Sequence, residues 1–205
     1  MGVGASLDRQ DLTAEPIELF RRWYDLAATT NSLAYPNSVV VATCGADGQP
    51  SARTVLLRHL DHGFVFFTNY QSRKGRDLAA NPKAAMCFHW FMLERQVLVR
   101  GIVEQVSAAE SDAYFAERPY GSRISAMTSQ QSQPVADRHV LESRAAALRE
   151  RHPDQIGTPR PPHWGGYRLL PHEIEFWQGR SDRLHDRFLY TKQADGSWTI
   201  ERLQP

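Results

Sequence analysis

Arg183, His185 and Arg187 alternate along Arg183-Leu184-His185-Asp186-Arg187. In a strand, residues at period two share one face, so all three would lie together. Like charges side by side on a sheet repel unless an anion or an electron-rich ring lies against them. Glu175-Phe176-Trp177-Gln178-Gly179, just upstream, supplies aromatic surface. A solvent-facing stripe is the ordinary alternative. A second basic element is Thr68-Asn69-Tyr70-Gln71-Ser72-Arg73-Lys74, running from a strand end into a helix start. Free N–H groups and the helix dipole favour an anion there, and basic residues in the first turn fit if an anion lies between them. A solvated turn would look similar. Arg53 and Arg58 bracket an apolar strand an odd number of residues apart. They serve different ligands, or a bulge intervenes, or both are strand-end surface charges. Finally, Tyr114, Arg118 and Ser122, followed by Ser129-Gln130-Gln131-Ser132, offer hydroxyls and one guanidinium to a phosphate monoester, or form a plain loop between helices.

Other chemistries find no support. His59-x-x-His62 lies at a turn with only Asp61 nearby and reads as solvated, so no metal site is expected. There is no G-x-G-x-x-G, P-loop or G-x-S-x-G elbow. The residues above describe several separated anion-binding elements with aromatic surface, which suits two phosphorylated, ring-bearing ligands.

The elements that position these groups are short. Pro16 opens a helix carrying Ile17, Phe20, Trp23, Tyr24 and Ala27. Strands are expected at 39–43, 51–58 and 64–68, with turns at Gly45–Gly48 and Asp61–Gly63. A helix runs from Ser72 as N-cap to Asn81-Pro82. Strands follow over 84–91 and 96–106. The Ser107…Glu110 capping box starts a helix ending near Arg118-Pro119. A further helix covers 134–151, and strands cover 166–177, 184–190 and 197–203. Many antiparallel strands with helices grouped between them predict a mainly β fold, a barrel with peripheral helices, rather than an alternating parallel sheet.

The 205 residues include 24 Lys plus Arg against 23 Asp plus Glu, which leaves no basic footprint for nucleic acid. No apolar run is long enough to span a membrane, and the start has no apolar signal core. Met1-Gly2 with Ser6 fits the loose myristoylation pattern, but the segment is read as a short flexible start rich in small residues. Residues 1–13 are expected to be frayed and 14–205 to form one domain. Cys44 and Cys87, in apolar runs, are read as reduced core residues of a cytoplasmic protein.

Seven motifs in order carry a family resemblance: R-T-V-L-L-R (53–58), F-F-T-N-Y-Q-S-R-K (66–74), L-E-R-Q-V (93–97), Y-F-A-E-R-P (114–119), S-Q-Q-S (129–132), W-G-G-Y (164–167) and E-F-W-Q-G-R-S-D-R-L-H-D-R (175–187). From about Pro16 to Pro205 the chain resembles the pyridoxamine (pyridoxine) 5′-phosphate oxidases. The resemblance implies an FMN-binding split β-barrel of Greek-key type and a homodimer with FMN at the interface. It implies oxidation of pyridoxamine or pyridoxine 5′-phosphate to pyridoxal 5′-phosphate with O2 as acceptor. FMN would be held by Arg53, Thr54, Val55, Leu56, Leu57, Phe67, Thr68, Arg73, Lys74, Gln96, Gln131, Ser132, Trp177 and Arg187. Arg58, Tyr114, Arg118 and Ser122 would hold the substrate phosphate. Arg183, Leu184 and His185 would meet the substrate, with Arg183 and His185 facing its ring as the catalytic pair. Arg53 and Arg58 would then serve different phosphates. The family usually has Lys where this chain has Arg58, which keeps the charge but changes its shape. The rival readings are a flavin oxidase for another ring, of the phenazine-pathway type, and a non-catalytic FMN or pyridoxal-phosphate carrier.

Overall fold

The computed structural model describes residues 6–30, 33–153 and 157–205. Its strands are β1 (Ser38–Cys44), β2 (Pro50–Leu56), β3 (His59–Leu60), β4 (Phe64–Asn69), β5 (Lys83–Trp90), β6 (Arg95–Gln105), β7 (Trp164–Gln178), β8 (Asp186–Lys192) and β9 (Trp198–Arg202). Its helices are α1 (Pro16–Thr29), α2 (Arg73–Ala80), α3 (Ala108–Glu117), α4 (Tyr120–Thr128) and α5 (Arg138–Arg151). The strands pair antiparallel in the order β2-β1-β5-β6-β7-β4-β3, with β8 on β7 and β9 on β8.

The long β7 makes the sheet fork. One edge of it pairs with β6, while the other pairs with β4 through Trp164–Leu169 and with β8 through Glu173–Gln178. The β6–β7 register slips at Arg100/Gly101, opposite Pro171, which has no N–H to give to a ladder. The result is a mostly antiparallel sheet curled into a split barrel.

The core lies inside that curl. Val41, Met86, Phe88, Val97, Val99, Ile174 and Phe176 alternate inward from β1, β5, β6 and β7. The apolar side of α1 closes it: Phe20 meets Phe64 and Phe88 edge-on with ring centroids 4.9 and 4.8 Å apart. Pro16, at the start of α1, needs no N–H partner there. A smaller cluster of Phe115, Ala126 and Trp164 packs beneath α3 and α4.

Several expectations are corrected. Residues 6–13 are docked, not frayed: Leu7 is buried and its N–H donates to Asp186 Oδ2, and the Tyr190 hydroxyl donates to the Thr13 carbonyl. Residues 1–5, including Gly2 of the myristoylation pattern, lie outside the described residues. The strand expected at 184–190 begins only at Asp186, because β8 must turn back on Gln178 and the chain uses 179–185 to reverse. Asp182 and Arg183 have φ of 56° and 61° within that reversal, so Arg183, His185 and Arg187 do not share a strand face. The loop expected around Ser122 is α4, restarted by Pro119 at its N-cap. The last helix starts at Arg138 rather than 134, where the Asp137 side chain accepts from the Val140 N–H. Cys44 and Cys87 are free thiols but only half-buried; Cys87 pairs with Val40 and Leu98 on the outward side of the sheet, not in the core. Among the described residues no helix is long and apolar enough to cross a membrane.

Candidate active site

A cavity of about 670 Å³ opens between β2, the end of β4, the start of α2, and α3–α4. Arg53, Thr54, Val55 and Leu56 line it from β2, and Phe67 and Thr68 from β4. Arg73 and Lys74 enter from the first turn of α2, and Gln131 and Ser132 from the loop after α4. Arg58, Tyr114 and Arg118 complete it. Arg53 and Arg58 thus share one cavity despite their odd spacing. The reason is that β2 ends at Leu56, so the pleat no longer dictates where Arg58 points.

The entry into α2 is tightly specified. Asn69 accepts from the Gln71 N–H through Oδ1 and donates to the Ser129 carbonyl through Nδ2. The Ser72 hydroxyl caps the helix by accepting from the Gly75 N–H. Gly75 presses on the Tyr70 carbonyl so closely that any side chain there would collide with backbone. This turn aims the Lys74 ammonium inward, where it donates to Thr68 Oγ1 at 2.9 Å and Gln131 Oε1 at 2.8 Å. Burial, with Arg53 adding to it, pushes the Lys74 ammonium down to a pKa of about 8. The Arg73 N–H donates to the Ser132 hydroxyl, so α2 and the Gln131–Ser132 loop form one cradle.

Arg53 is held from behind. Its Nη1 donates to the Val41 carbonyl and to Thr43 Oγ1, and its Nη2 to Ser51 Oγ. Burial lowers its pKa, and Arg73 adds to that while Asp77 opposes it.

The other end is aromatic and cationic. The rings of Tyr114, Phe67 and Trp164 stack nearly parallel, with Phe67–Tyr114 centroids at 4.1 Å and Phe67–Trp164 at 5.4 Å. Arg58 lies 5.7 Å from the Tyr114 ring centre and Arg118 lies 4.6 Å from that of Trp164. Burial lowers the Arg118 pKa, and its Nη1 is buried with no hydrogen-bond partner among the described residues. A buried donor left unpaired costs about 1–3 kcal/mol, which an incoming anion would offset.

Some expected site residues lie elsewhere. Leu57 is buried in the barrel core. Ser122 does not line the cavity; Ser125, about one turn further along α4, does. Gln96, Trp177 and Arg187 stand opposite one another in one row across β6, β7 and β8, as a second cluster that does not line the cavity. There Arg187 Nε donates to Glu175 Oε1 at 2.8 Å. The His185 ring lies 4.7 Å from that of Trp177, and its Nδ1 accepts from the Arg180 N–H. Arg183 and Leu184 occupy the adjoining reversal, with Leu184 70% exposed. Sequence reasoning did not single out Ser51, Asn69, Ser125 and Trp164 as wall residues, whereas Ser129, offered with the 129–132 run, does line the cavity. Asn69 and Trp164 were within motifs already noted, but nothing in their spacing marks them as wall.

Comparison with known proteins shows the family. The family model described as pyridoxamine 5′-phosphate oxidase matches residues 27–152, and that of a pyridoxine 5′-phosphate oxidase C-terminal dimerisation region matches residues 164–205. A pyridoxine/pyridoxamine 5′-phosphate oxidase of Ralstonia pickettii is 60% identical over 202 residues, covering 98% of this chain and 94% of the relative. One of Burkholderia lata is 56% identical over 204 residues, with 98% and 94% covered. The crystal structure of PhzG from Burkholderia lata, in complex with tetrahydrophenazine-1-carboxylic acid, superposes with a TM-score of 0.91 at 32% identity over the whole of both chains. A pyridoxamine 5′-phosphate oxidase-related, FMN-binding protein of Nostoc punctiforme shares the fold, with a TM-score of 0.77 at 19% identity over 95% of this chain and 100% of that one. The chain belongs to the pyridoxamine 5′-phosphate oxidase family.

Proposed function

We propose that this chain is an FMN-dependent oxidase. It converts pyridoxamine and pyridoxine 5′-phosphates to pyridoxal 5′-phosphate, in the supply of vitamin B6 within the cytoplasm. The observation that carries this reading is one cavity with two cationic groups: Arg53, Arg73 and Lys74 with Gln131 and Ser132, and Arg58 and Arg118 with Tyr114. Two anion-binding groups in one cavity suit a phosphorylated cofactor beside a phosphorylated substrate. Relatives that carry this activity in their names, at 56–60% identity over nearly the whole chain, support it.

The residues present fit FMN. The buried Lys74 ammonium and the α2 N-terminus, with Arg53 and Arg73, form a donor set suited to its phosphate. When bound, FMN supplies the two-electron redox chemistry that no side chain here can perform. The amine, O2 and water give the aldehyde, ammonia and H2O2; the alcohol and O2 give the aldehyde and H2O2. Arg58, Tyr114 and Arg118 hold the substrate phosphate by charge and hydrogen bonds. The Tyr114–Phe67–Trp164 stack gives that part of the cavity a largely apolar wall.

The second cluster acts from another copy. In a homodimer, Gln96, Trp177 and Arg187 of one copy hold the cofactor of the other, and Arg183 clamps the substrate ring while His185 orients it. A C-terminal segment matching a dimerisation region, and the exposed Leu184 beside the cluster, support this arrangement.

The PhzG superposition favours a second reading, an oxidase for a reduced phenazine carboxylate, whose carboxylate Arg58 and Arg118 could equally hold. The test is the flavin spectrum of FMN-loaded protein under anaerobic conditions, before and after pyridoxamine 5′-phosphate. Bleaching that air reverses, with aldehyde formed, is the expected result. Flavin that stays oxidised with the phosphates but bleaches with a reduced phenazine carboxylate selects the second reading. Flavin that no substrate bleaches leaves a carrier.

A further inference from the structure

Asp77 lies on α2, one turn beyond Lys74, and takes no part in the reading above. Its Oδ2 accepts from the Thr43 hydroxyl at 2.6 Å, and that same oxygen of Thr43 accepts from Arg53 Nη1 at 2.7 Å. The Thr43 hydroxyl has one proton, committed to Asp77, which turns its lone pairs toward Arg53. Thr43 is buried at 3% exposure and the Asp77 side chain is 13% exposed, so the relay is largely screened from water. Asp77 Oδ2 is itself 3.9 Å from Arg53 Nη2, too long for a hydrogen bond but close enough to attract the guanidinium charge. The guanidinium is thereby fixed on three sides, by the Val41 carbonyl, Thr43 and Ser51.

We infer that Asp77 is a positioning residue: through the Thr43 hydroxyl it holds the Arg53 guanidinium in the orientation that receives the cofactor phosphate, and so sets cofactor affinity. This rests on the FMN reading above. As a bare negative charge near an anion site, Asp77 weakens anion binding, and its removal should tighten it. As a positioning residue, its removal weakens binding, because Arg53 is released to other rotamers and must be ordered again by the ligand.

The experiment measures the dissociation constant of FMN for the apo-protein by quenching of flavin fluorescence, in the unaltered chain and in Asp77→Asn, Thr43→Val, Arg53→Met and the Asp77→Asn/Arg53→Met double variant. Asp77→Asn and Thr43→Val are each expected to weaken FMN roughly tenfold, and Asp77→Asn to have no further effect once Arg53 is gone. Thr43→Val keeps the side-chain shape, so it serves if Asp77→Asn fails to fold. Unchanged or tighter binding in the single variants overturns the inference, as does an Asp77→Asn effect that persists without Arg53. An unaltered chain that binds no FMN overturns the oxidase reading itself, and this inference with it.

Discussion

Lys74 and Gln131 stand 57 positions apart in the chain and meet side chain to side chain, the ammonium donating to Oε1 at 2.8 Å. The contact ties α2 to the loop after α4 and leaves a buried cation facing the cavity. With a pKa of about 8, Lys74 in the ligand-free protein gives up its proton as pH rises through about 8. A phosphate placed beside it favours the charged form and raises that pKa, so binding takes up a proton. FMN affinity is therefore expected to fall as pH rises through 8, by at most about tenfold per pH unit. Titration calorimetry between pH 7 and pH 9.5 reads this directly. Lys74→Met should bind FMN more weakly at pH 7 and lose most of the slope; a slope that survives unchanged removes Lys74 from the cradle.

Arg58 faces the Tyr114 ring, where its planar guanidinium can lie against the phenol in a way an ammonium does not reproduce. Arg58→Lys is expected to keep turnover and to shift KM for pyridoxamine 5′-phosphate by less than about tenfold, since one cation replaces another. Arg58→Ala should raise KM by more than about tenfold while leaving FMN bound. Steady-state kinetics with a flavin occupancy measurement separate these outcomes. Loss of flavin in Arg58→Ala would place Arg58 in the cofactor cradle instead.

Local patterns carried most of the fold. The Ser72 cap, the Ser107–Glu110 box and Pro16 mark helix starts by chemistry confined to a few neighbouring residues, and each helix begins there. The Arg183-x-His185-x-Arg187 alternation misled because period two says nothing about where pairing with β7 begins. That start is set by the distant Gln178 opposite Asp186. The cavity was only partly legible for a similar reason. Basic residues at motif positions announce themselves, whereas Ser125, Trp164 and Asp77 become neighbours of the site only when α2, α4 and β7 converge.

Arg168 on β7 joins three elements. It forms a two-pronged pair with Asp61 and reaches Glu110 at 2.7 Å, while its own side chain is 9% exposed. Burial raises the Asp61 carboxyl pKa, but hydrogen bonds from Arg168 and from the Gly63 N–H outweigh it and hold the pKa below the ordinary value. Hydrogen bonds from Arg168 and Ser107 do the same for Glu110. Both folded-state pKa values are depressed, so the unfolded chain binds more protons below the ordinary carboxylate range. The stability they contribute is present above that range and is lost as pH falls through the folded values. Arg168→Met is expected to cost about 2 kcal/mol at pH 7, less than a fully buried pair because both carboxylates are partly solvated. The variant's loss relative to the unaltered chain should shrink toward pH 3. Urea unfolding at pH 7 and pH 3.5 tests it, and a pH-independent difference would show that packing, not charge, is what Arg168 supplies.

The two clusters of site residues belong to opposite parts of one sheet. The cavity gathers around β2, β4 and α2, while Trp177, Arg187 and His185 lie around β6–β8 and line no part of it. If a working site takes one cluster from each of two copies, a defect in either cluster is confined to the site it enters. Arg118→Ala disables a cavity and Arg183→Ala disables the cluster that completes a partner's cavity. Each variant alone should lack appreciable turnover with pyridoxamine 5′-phosphate. In a dimer formed from one copy of each, both defects fall in the same site and the other site is intact. Refolding or co-expressing the two variants in equal amounts makes half the dimers mixed, so about a quarter of the unaltered activity should return. Copies that act alone give no recovery at any mixing ratio, because no single chain then holds a complete site. The same experiment with Arg118→Ala and Arg58→Ala is the control. Both changes lie in the cavity, each site of the mixed dimer carries one defect, and mixing should give no activity beyond that of the two variants alone.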